Sequence, residues 1–384
     1  MLRYLAPHRR GRCAVRRLPS DAKNLLSREP CDEPQDEALR RRATVNEQRE
    51  RALRRVVEHE REGQRVPAAS TTTSSDEHKA FEMLDLLKIR LKRTFDLYKA
   101  GSLDTGFVPR IESIALAIQQ ACTHDSDAAL ANLHLDYETS YAVIHHLQAA
   151  ILCELIGRKM GVGEASRLSL VKAGLTYDVG LIDIQDTLDR QLTPLTSLQR
   201  KRIARHPVDS EWILTSLGVT DAAWLDSVRH HHERLDGSGY PDGQCEDAIR
   251  LPARVLAIAD IYSAMVRDRP YRRAMVSGKA MRKLMLDQGR QTDNRLIQMM
   301  IKELGVFPPG AVVRLANGEV AVVKKRTANS ACPLVHAFIK ADGMPMLGTI
   351  RRDTATADFR IEGMVPFSNY RGSIVILRNL WNRP

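Results

Sequence analysis

The chain has 384 residues, 43% of them hydrophobic, and a formal net charge of +11, enough apolar material for a sizeable core and two or three domains. Its most apolar stretch, Ala142 to Ile156, carries His145, His146 and Glu154, which argues against a membrane span, and MLRYLAPHRRGRC lacks the apolar run of a secretory leader. The cysteines at 13, 31, 122, 153, 245 and 332 are scattered without a Cys-x-x-Cys pair, which suits reduced thiols in a cytoplasmic protein better than a disulfide or zinc scaffold.

Residues 1–77 read as a disordered basic tail closed by a Ser/Thr linker. They mix Arg, Glu, Gln and Pro with little apolar periodicity, apart from a charged helix over Glu37 to Glu62, and end in Ala68 to Ser75, a flexible run. Cationic chain can attract nucleic acid, anionic lipid or a negative nucleotide, but a solvated tail accounts for this one. No specific nucleic acid and no membrane is expected as partner, and no receiver or PAS-like pattern marks an input domain.

Order is expected from His78, in a helical segment over 78–135. Phe81, Leu84, Leu87, Leu91 and Phe95 recur at helical spacing and stop at Gly101, which predicts an amphipathic helix. From Val108 to Leu304 the same period continues, with breaks at Gly161, Gly174, Pro194, Pro207, Gly218 and Pro252, so 136–307 should be a helical domain. Within it one helix covers 207–217, and another covers 221–233, capped by Asp221 and delivering His231 and His232 from its last turn. After Pro308-Pro309-Gly310 the pattern turns to strands over 308–384. Asn317-Gly318 between Val312–Leu315 and Val320–Lys324 predicts a hairpin with a type I′ turn, and β-prone runs follow at 334–339, 358–361 and 373–377. This region could bind a ligand, pack on the helices or mediate a homodimer.

The segment Arg229 to Gly243, RHHHERLDGSGYPDG, concentrates the chemistry. Neutral imidazoles bind transition metals, and neighbours on a helix project about 100° apart, so His231 and His232 can serve two ions or two positions of one cluster. Asp236-Gly237-Ser238-Gly239 can bring backbone N–H groups close to an anion with no Cβ in the way, and Tyr240 then stands at the rim. Metal chemistry on a phosphate follows. Histidines on amphipathic helices more often pack than ligate, and His146 or His230 alone would be read that way; the joined motif outweighs that prior.

These residues resemble the HD-GYP family, a branch of the HD phosphohydrolases whose usual substrate is the bacterial second messenger cyclic di-GMP. The family hallmark is matched by His231-His232-Glu233, Asp236-Gly237 and Gly239-Tyr240-Pro241, and the likeness runs from near Tyr141 to Arg272. The resemblance implies a mainly α fold: an HD-type helical bundle with a small β-rich C-terminal appendage and a disordered N-terminal tail. It also implies metal ligands at His145, Asp178, His206, His231, His232 and Asp260, with Asp178 the catalytic, bridging carboxylate. His146 is the weaker candidate beside His145. Substrate contacts would come from Gly239, Tyr240 and Pro241, and from Arg269 and Arg272, which with Tyr271 match an Arg-Pro-Tyr-Arg element suited to phosphate or guanine edges.

The chain departs from the family where Tyr177 replaces the histidine of the His-Asp pair, Leu181 the following lysine, and Tyr141 a common acidic residue. A phenol with a reference pKa of about 10 is a poor ligand, so one metal position should be weak or empty. The lost lysine removes a cation worth about 10²–10³ in rate at comparable sites.

The resemblance thus implies a metal-dependent phosphodiesterase opening cyclic di-GMP to pGpG and GMP at reduced rate, with a divalent cofactor, iron or manganese ahead of zinc. The alternative is a catalytically inactive module that binds cyclic di-GMP or a GGDEF-domain diguanylate cyclase. Hydrolysis of some other nucleotide is disfavoured by the intact GYP loop.

Overall fold

The computed structural model describes residues 80–102, 106–267, 274–287 and 291–382. The tail expected over 1–77 lies outside them. The fold is mainly α, with a helical bundle followed by a small antiparallel sheet.

Helix α1 (Ala80–Lys99) lays the expected Phe81, Leu84, Leu87, Leu91 and Phe95 stripe against α2 (Phe107–His124) and α3 (Ser126–His134). Helix α4 (Tyr141–Lys159) is the axis of the bundle. Its residues 142–157 are all buried, because α1, α2, α3, α5 (Glu164–Gly174) and later helices surround it. A helix with apolar residues on every side belongs in the interior, and its polar members His145, His146, Gln148 and Glu154 are buried with it. A Cβ on Gly174 would stand 2.7 Å from Ala150 Cα, so glycine lets α5 touch the α4 backbone.

A 3₁₀ turn over Val179–Leu181 leads into α6 (Ile182–Arg190), and α7 (Ser197–Ser216) opens with a capping box between Thr196 and Gln199. Pro207, expected as a break, lies inside α7. Helix α8 (Ala222–His230) is capped by Asp221, which accepts from the amides of Ala223 and Trp224, and it ends before His231 and His232 instead of carrying them in its last turn. Helices α9 (Leu251–Met265), α10 (Ser277–Asp287) and α11 (Asn294–Leu304) complete the bundle, with Pro252 in the first turn of α9, where its missing N–H costs nothing.

Strands β1 (Val312–Leu315), β2 (Val320–Lys325), β3 (Leu334–Ile339), β4 (Pro345–Asp353) and β5 (Ile361–Met364) form a sheet in the order β4-β3-β2-β1-β5. Alternation divides its side chains: Val312, Val320 and Val322 join the helical core, while Val313, Ala321 and Val323 pack in a second cluster with Val335 and Ala337. The hairpin differs from the expected type I′ turn. Gly318 (φ +86°) donates to Leu315 O and Leu315 donates to Glu319 O, closing a three-residue loop in which Asn317 keeps negative φ.

The run read as a strand over 358–361 is a 3₁₀ turn at Ala357–Phe359 and becomes strand only at Ile361, where β5 begins. The run read as a strand over 373–377 is instead largely helical: Ile374–Asn382 forms α12, because Leu377 and Trp381 are four apart and both enter the main core. Trp381 stacks on Phe81 of α1 with ring centroids 5.6 Å apart. Arg326, after β2, reaches Asp127 Oδ1 at 2.5 Å, Ser126 Oγ at 2.7 Å and Glu303 Oε1 at 3.1 Å, and Arg378 pairs with Asp85. Cys122, Cys153 and Cys332 are free thiols, but Cys245 is disulfide-bonded, against the expectation of reduced thiols throughout; sequence spacing does not report which cysteines meet in space.

Candidate metal centre

The expected ligands converge where α4, the turn before the 3₁₀ segment, α7, the end of α8 and α9 meet. Gly180 N donates to Ser210 Oγ at 3.0 Å, and a Cβ at 180 would lie 3.2 Å from His206 O. That close approach holds the Asp178 turn against α7.

Proline explains how His206 is aimed. Residue 207 has no N–H to give to the carbonyl four residues back, so Ile203 O is free, and His206 Nδ1 donates to it at 2.5 Å. His231 does the same at a helix end, where carbonyls lack intrahelical partners: its Nδ1 donates to Val228 O at 2.7 Å. Each ring is thereby fixed with Nε2 facing inward.

Those two Nε2 atoms face one another at 3.2 Å, with Asp178 Oδ1 2.9 Å from His206 Nε2 and 3.7 Å from His231 Nε2. His232 adds a third imidazole, and donor atoms of all three histidines lie within 4.8 Å of one another. Two inward lone pairs beside a carboxylate repel unless a proton or cation sits among them. Burial works against charge at each group. At His206 the Asp178 carboxylate outweighs burial and raises its pKa, while burial and the neighbouring His206 push His231 down to about 4. Burial would lift Asp178, but His206 and then His231 hold it well below the usual carboxylate range. The set therefore fits a divalent cation, which would take the place of the proton shared by His206 and Asp178: one carboxylate oxygen and three imidazoles, two of them braced by backbone carbonyls.

The other half of the site is closed upon itself. His145 Nε2 meets Asp260 Oδ1 at 3.1 Å, and the Tyr177 hydroxyl donates to the same oxygen at 3.3 Å. Tyr177 is fully buried, and burial, reinforced by Asp260 and Asp178, drives its pKa well above 10, so it stays a neutral donor. Tyr141 stacks on His145 at 4.7 Å. His146 turns aside: its Nδ1 donates to Ala142 O at 2.5 Å and its ring meets Phe95 edge-on.

Beyond His232 the chain makes a tight loop. Asp236 Oδ1 accepts from Ser238 N at 3.0 Å and Ser238 Oγ at 2.6 Å. Gly239 is required by contact, since a Cβ there would lie 2.4 Å from Arg234 N and 2.5 Å from Glu233 Cα. Tyr240 packs its ring 4.7 Å from His232, and the Tyr240–Pro241 bond is cis.

Residues 126–296 match the HD domain family. A cyclic di-GMP phosphodiesterase of Pseudomonas aeruginosa is 30% identical over 216 residues, 56% of this chain and 52% of that protein. A cyclic di-GMP phosphodiesterase of Borreliella burgdorferi is 26% identical, covering 52% of this chain and 53% of its own length. A 3′3′-cGAMP-specific phosphodiesterase of Vibrio cholerae is 32% identical over 38% of this chain and 34% of its own. Residues 126–296 are thus similar to HD domains, and the relatives named here are phosphodiesterases. The chain spans about half the length of the first two relatives.

Within this site, His206, His231, His232 and Asp178 form one donor group and His145, Asp260 and Tyr177 another, while Gly239, Tyr240 and Pro241 line the adjoining loop. Arg269, Tyr271 and Arg272 lie outside the described residues. The sequence reading missed the clamp on the GYP loop. Glu233 Oε1 accepts from Asp242 N at 2.7 Å, and Arg229 grips Asp242 through Nε at 2.8 Å and Nη2 at 3.0 Å. His230 bridges Asp226 and Asp242, each at 3.1 Å, and those carboxylates raise its pKa despite burial. Ordinary surface-type charges gave no signal of this role. Arg234 was also passed over, although it lies two residues beyond the ligand pair.

Proposed function

We propose that this chain is a metal-dependent phosphodiesterase that opens cyclic di-GMP to pGpG, and on to GMP, in bacterial second-messenger signalling, at a rate reduced by Tyr177 and Leu181. The observation carrying the reading is the pair of braced imidazoles, Nε2 to Nε2 at 3.2 Å, with the Asp178 carboxylate 2.9 Å from one of them. The names of the relatives share a cyclic dinucleotide as substrate, and the two that cover most of this chain are named for cyclic di-GMP.

His206, His231, His232 and Asp178 would hold a divalent ion, iron or manganese ahead of zinc. Such an ion polarises a phosphoryl oxygen and lowers the pKa of water. Asp178 stays ionised and can accept a proton at a carboxylate oxygen. Tyr240 offers the loop's ring and hydroxyl to the nucleotide, and burial pushes its pKa far above the usual phenol value, so it stays a neutral hydroxyl able to donate. Arg269 and Arg272 are proposed as further substrate contacts. The His145–Asp260–Tyr177 trio, already hydrogen-bonded internally, favours one ion over two.

That trio is also the specific support for a second reading, a non-catalytic module that binds the nucleotide or a GGDEF-domain diguanylate cyclase. Among the described residues no helix is long and apolar enough to cross a membrane, and a cytoplasmic site is proposed because the messenger is made there. The deciding experiment loads the full chain anaerobically with iron or manganese and follows cyclic di-GMP by chromatography. Formation of pGpG is expected; binding without product would sink the enzyme reading and leave the module.

A further inference from the structure

Two residues beyond His232 sits a cation that has no anion of its own among the described residues. Arg234 has Nη1 sealed from solvent and no hydrogen-bond acceptor reaches that atom, though the residue as a whole remains partly open. Other arginines of the described residues are spoken for. Arg229 holds Asp242 and Glu211, Arg202 holds Asp183, and Arg254 holds Asp247 and Asp293. Arg234 is also rigidly presented, because Gly239 packs against its backbone.

The groups whose charge it feels are Asp260, Tyr240, Asp236 and Glu233, and its own charge acts on His232. Its backbone stands two residues beyond His232 and against Gly239 of the GYP loop, and among the described residues its guanidinium makes no ion pair with any of these carboxylates. Burying a guanidinium without a partner is unfavourable, and such a cost persists where a bound ligand removes it. A planar guanidinium matches two oxygens of a phosphate at once. The turn that follows Asp178 offers no cation, since Leu181 there is apolar and 6% exposed.

We propose that Arg234 is a phosphate-binding cation of this site, its guanidinium donating to non-bridging oxygens of the substrate's phosphodiester. This rests on the reading of the site as one for a cyclic dinucleotide. A residue of this kind has a distinctive signature: without substrate it destabilises the fold, and with substrate it contributes affinity.

The test compares the manganese-loaded full chain with Arg234→Met and Arg234→Lys, measuring cyclic di-GMP affinity, manganese content and the Tm of the nucleotide-free protein. Arg234→Met should weaken binding by roughly 10- to 100-fold, the range of a charge-assisted hydrogen bond, with manganese content unchanged. Its Tm should rise by about 2–4 °C, as loss of a buried unpaired charge implies. Arg234→Lys should fall between the two in affinity. Binding by Arg234→Met within twofold of the parent chain overturns the proposal and leaves the phosphodiesterase reading standing. A fall in Tm alongside the loss of affinity also overturns it, by showing a structural role. If the parent chain binds no cyclic di-GMP, both this inference and the functional reading beneath it are wrong.

Discussion

Pro207 shows how one residue can serve a site that it never touches. By lacking an N–H it releases Ile203 O, and His206 takes that carbonyl and points Nε2 at Asp178. In Pro207→Ala the restored amide competes for Ile203 O. Helix stability should rise by up to about 3 kcal/mol, while metal affinity falls by about 10- to 100-fold; metal titration beside chemical denaturation checks the opposite signs, and unchanged affinity would refute the bracing argument. Tyr177 is the second case. Its neutral hydroxyl occupies Asp260 Oδ1, so Tyr177→His with Leu181→Lys should free a ligand position and restore a cation. Turnover to pGpG should rise by about 10² or more, measured as initial rate at saturating metal; no gain would mean that these positions do not limit the rate.

Where α1 meets the start of α4, a buried ion pair closes the bundle. Lys88 pairs with Asp136, and Asp136 also accepts from Thr139 N at 2.9 Å and Thr139 Oγ1 at 2.7 Å. Burial alone would raise the Asp136 pKa, but the Lys88 ammonium and then these donors hold it at about 2. A depressed carboxylate stabilises the fold above its unfolded pKa of about 3.9, and that contribution fades as pH falls toward the folded value. Lys88→Ala should cost about 3–5 kcal/mol at neutral pH by stranding the carboxylate. It should also flatten the loss of stability between about pH 4 and 2, read from urea unfolding across pH. An unaltered acid slope would show that Lys88 is not what holds the group down.

Over the whole molecule, the C-terminal sheet is fastened to the helices by packing and charge together. Trp381 stacks on Phe81, Lys324 lies 4.6 Å over the Trp381 ring, and Arg326 ties the end of β2 to α3 and α11. Trp381→Ala should therefore lower stability by about 3–5 kcal/mol. One cooperative transition, not two, is expected in calorimetry, because Val312, Val320 and Val322 share a core with the bundle. A separate low-temperature transition for the sheet would contradict this.

Much of this was legible in the order of residues alone. Helical period, glycine and proline stops, the Asp221 cap and the His-His-Glu to Gly-Tyr-Pro motif are local patterns, and local patterns survive without knowledge of neighbours. Where local preference competed with packing, packing won: Ile374–Asn382, rich in β-prone residues, is a helix because Leu377 and Trp381 gain burial four residues apart. The chain by itself determined which donors exist and on which elements they ride. Only the tertiary structure decided that Asp178 faces His206, that Tyr177 closes Asp260, and that Arg234 has no anion among the described residues. The reason is that pairing of polar groups depends on distances of a few ångströms between segments far apart in sequence, which no residue's own preferences encode.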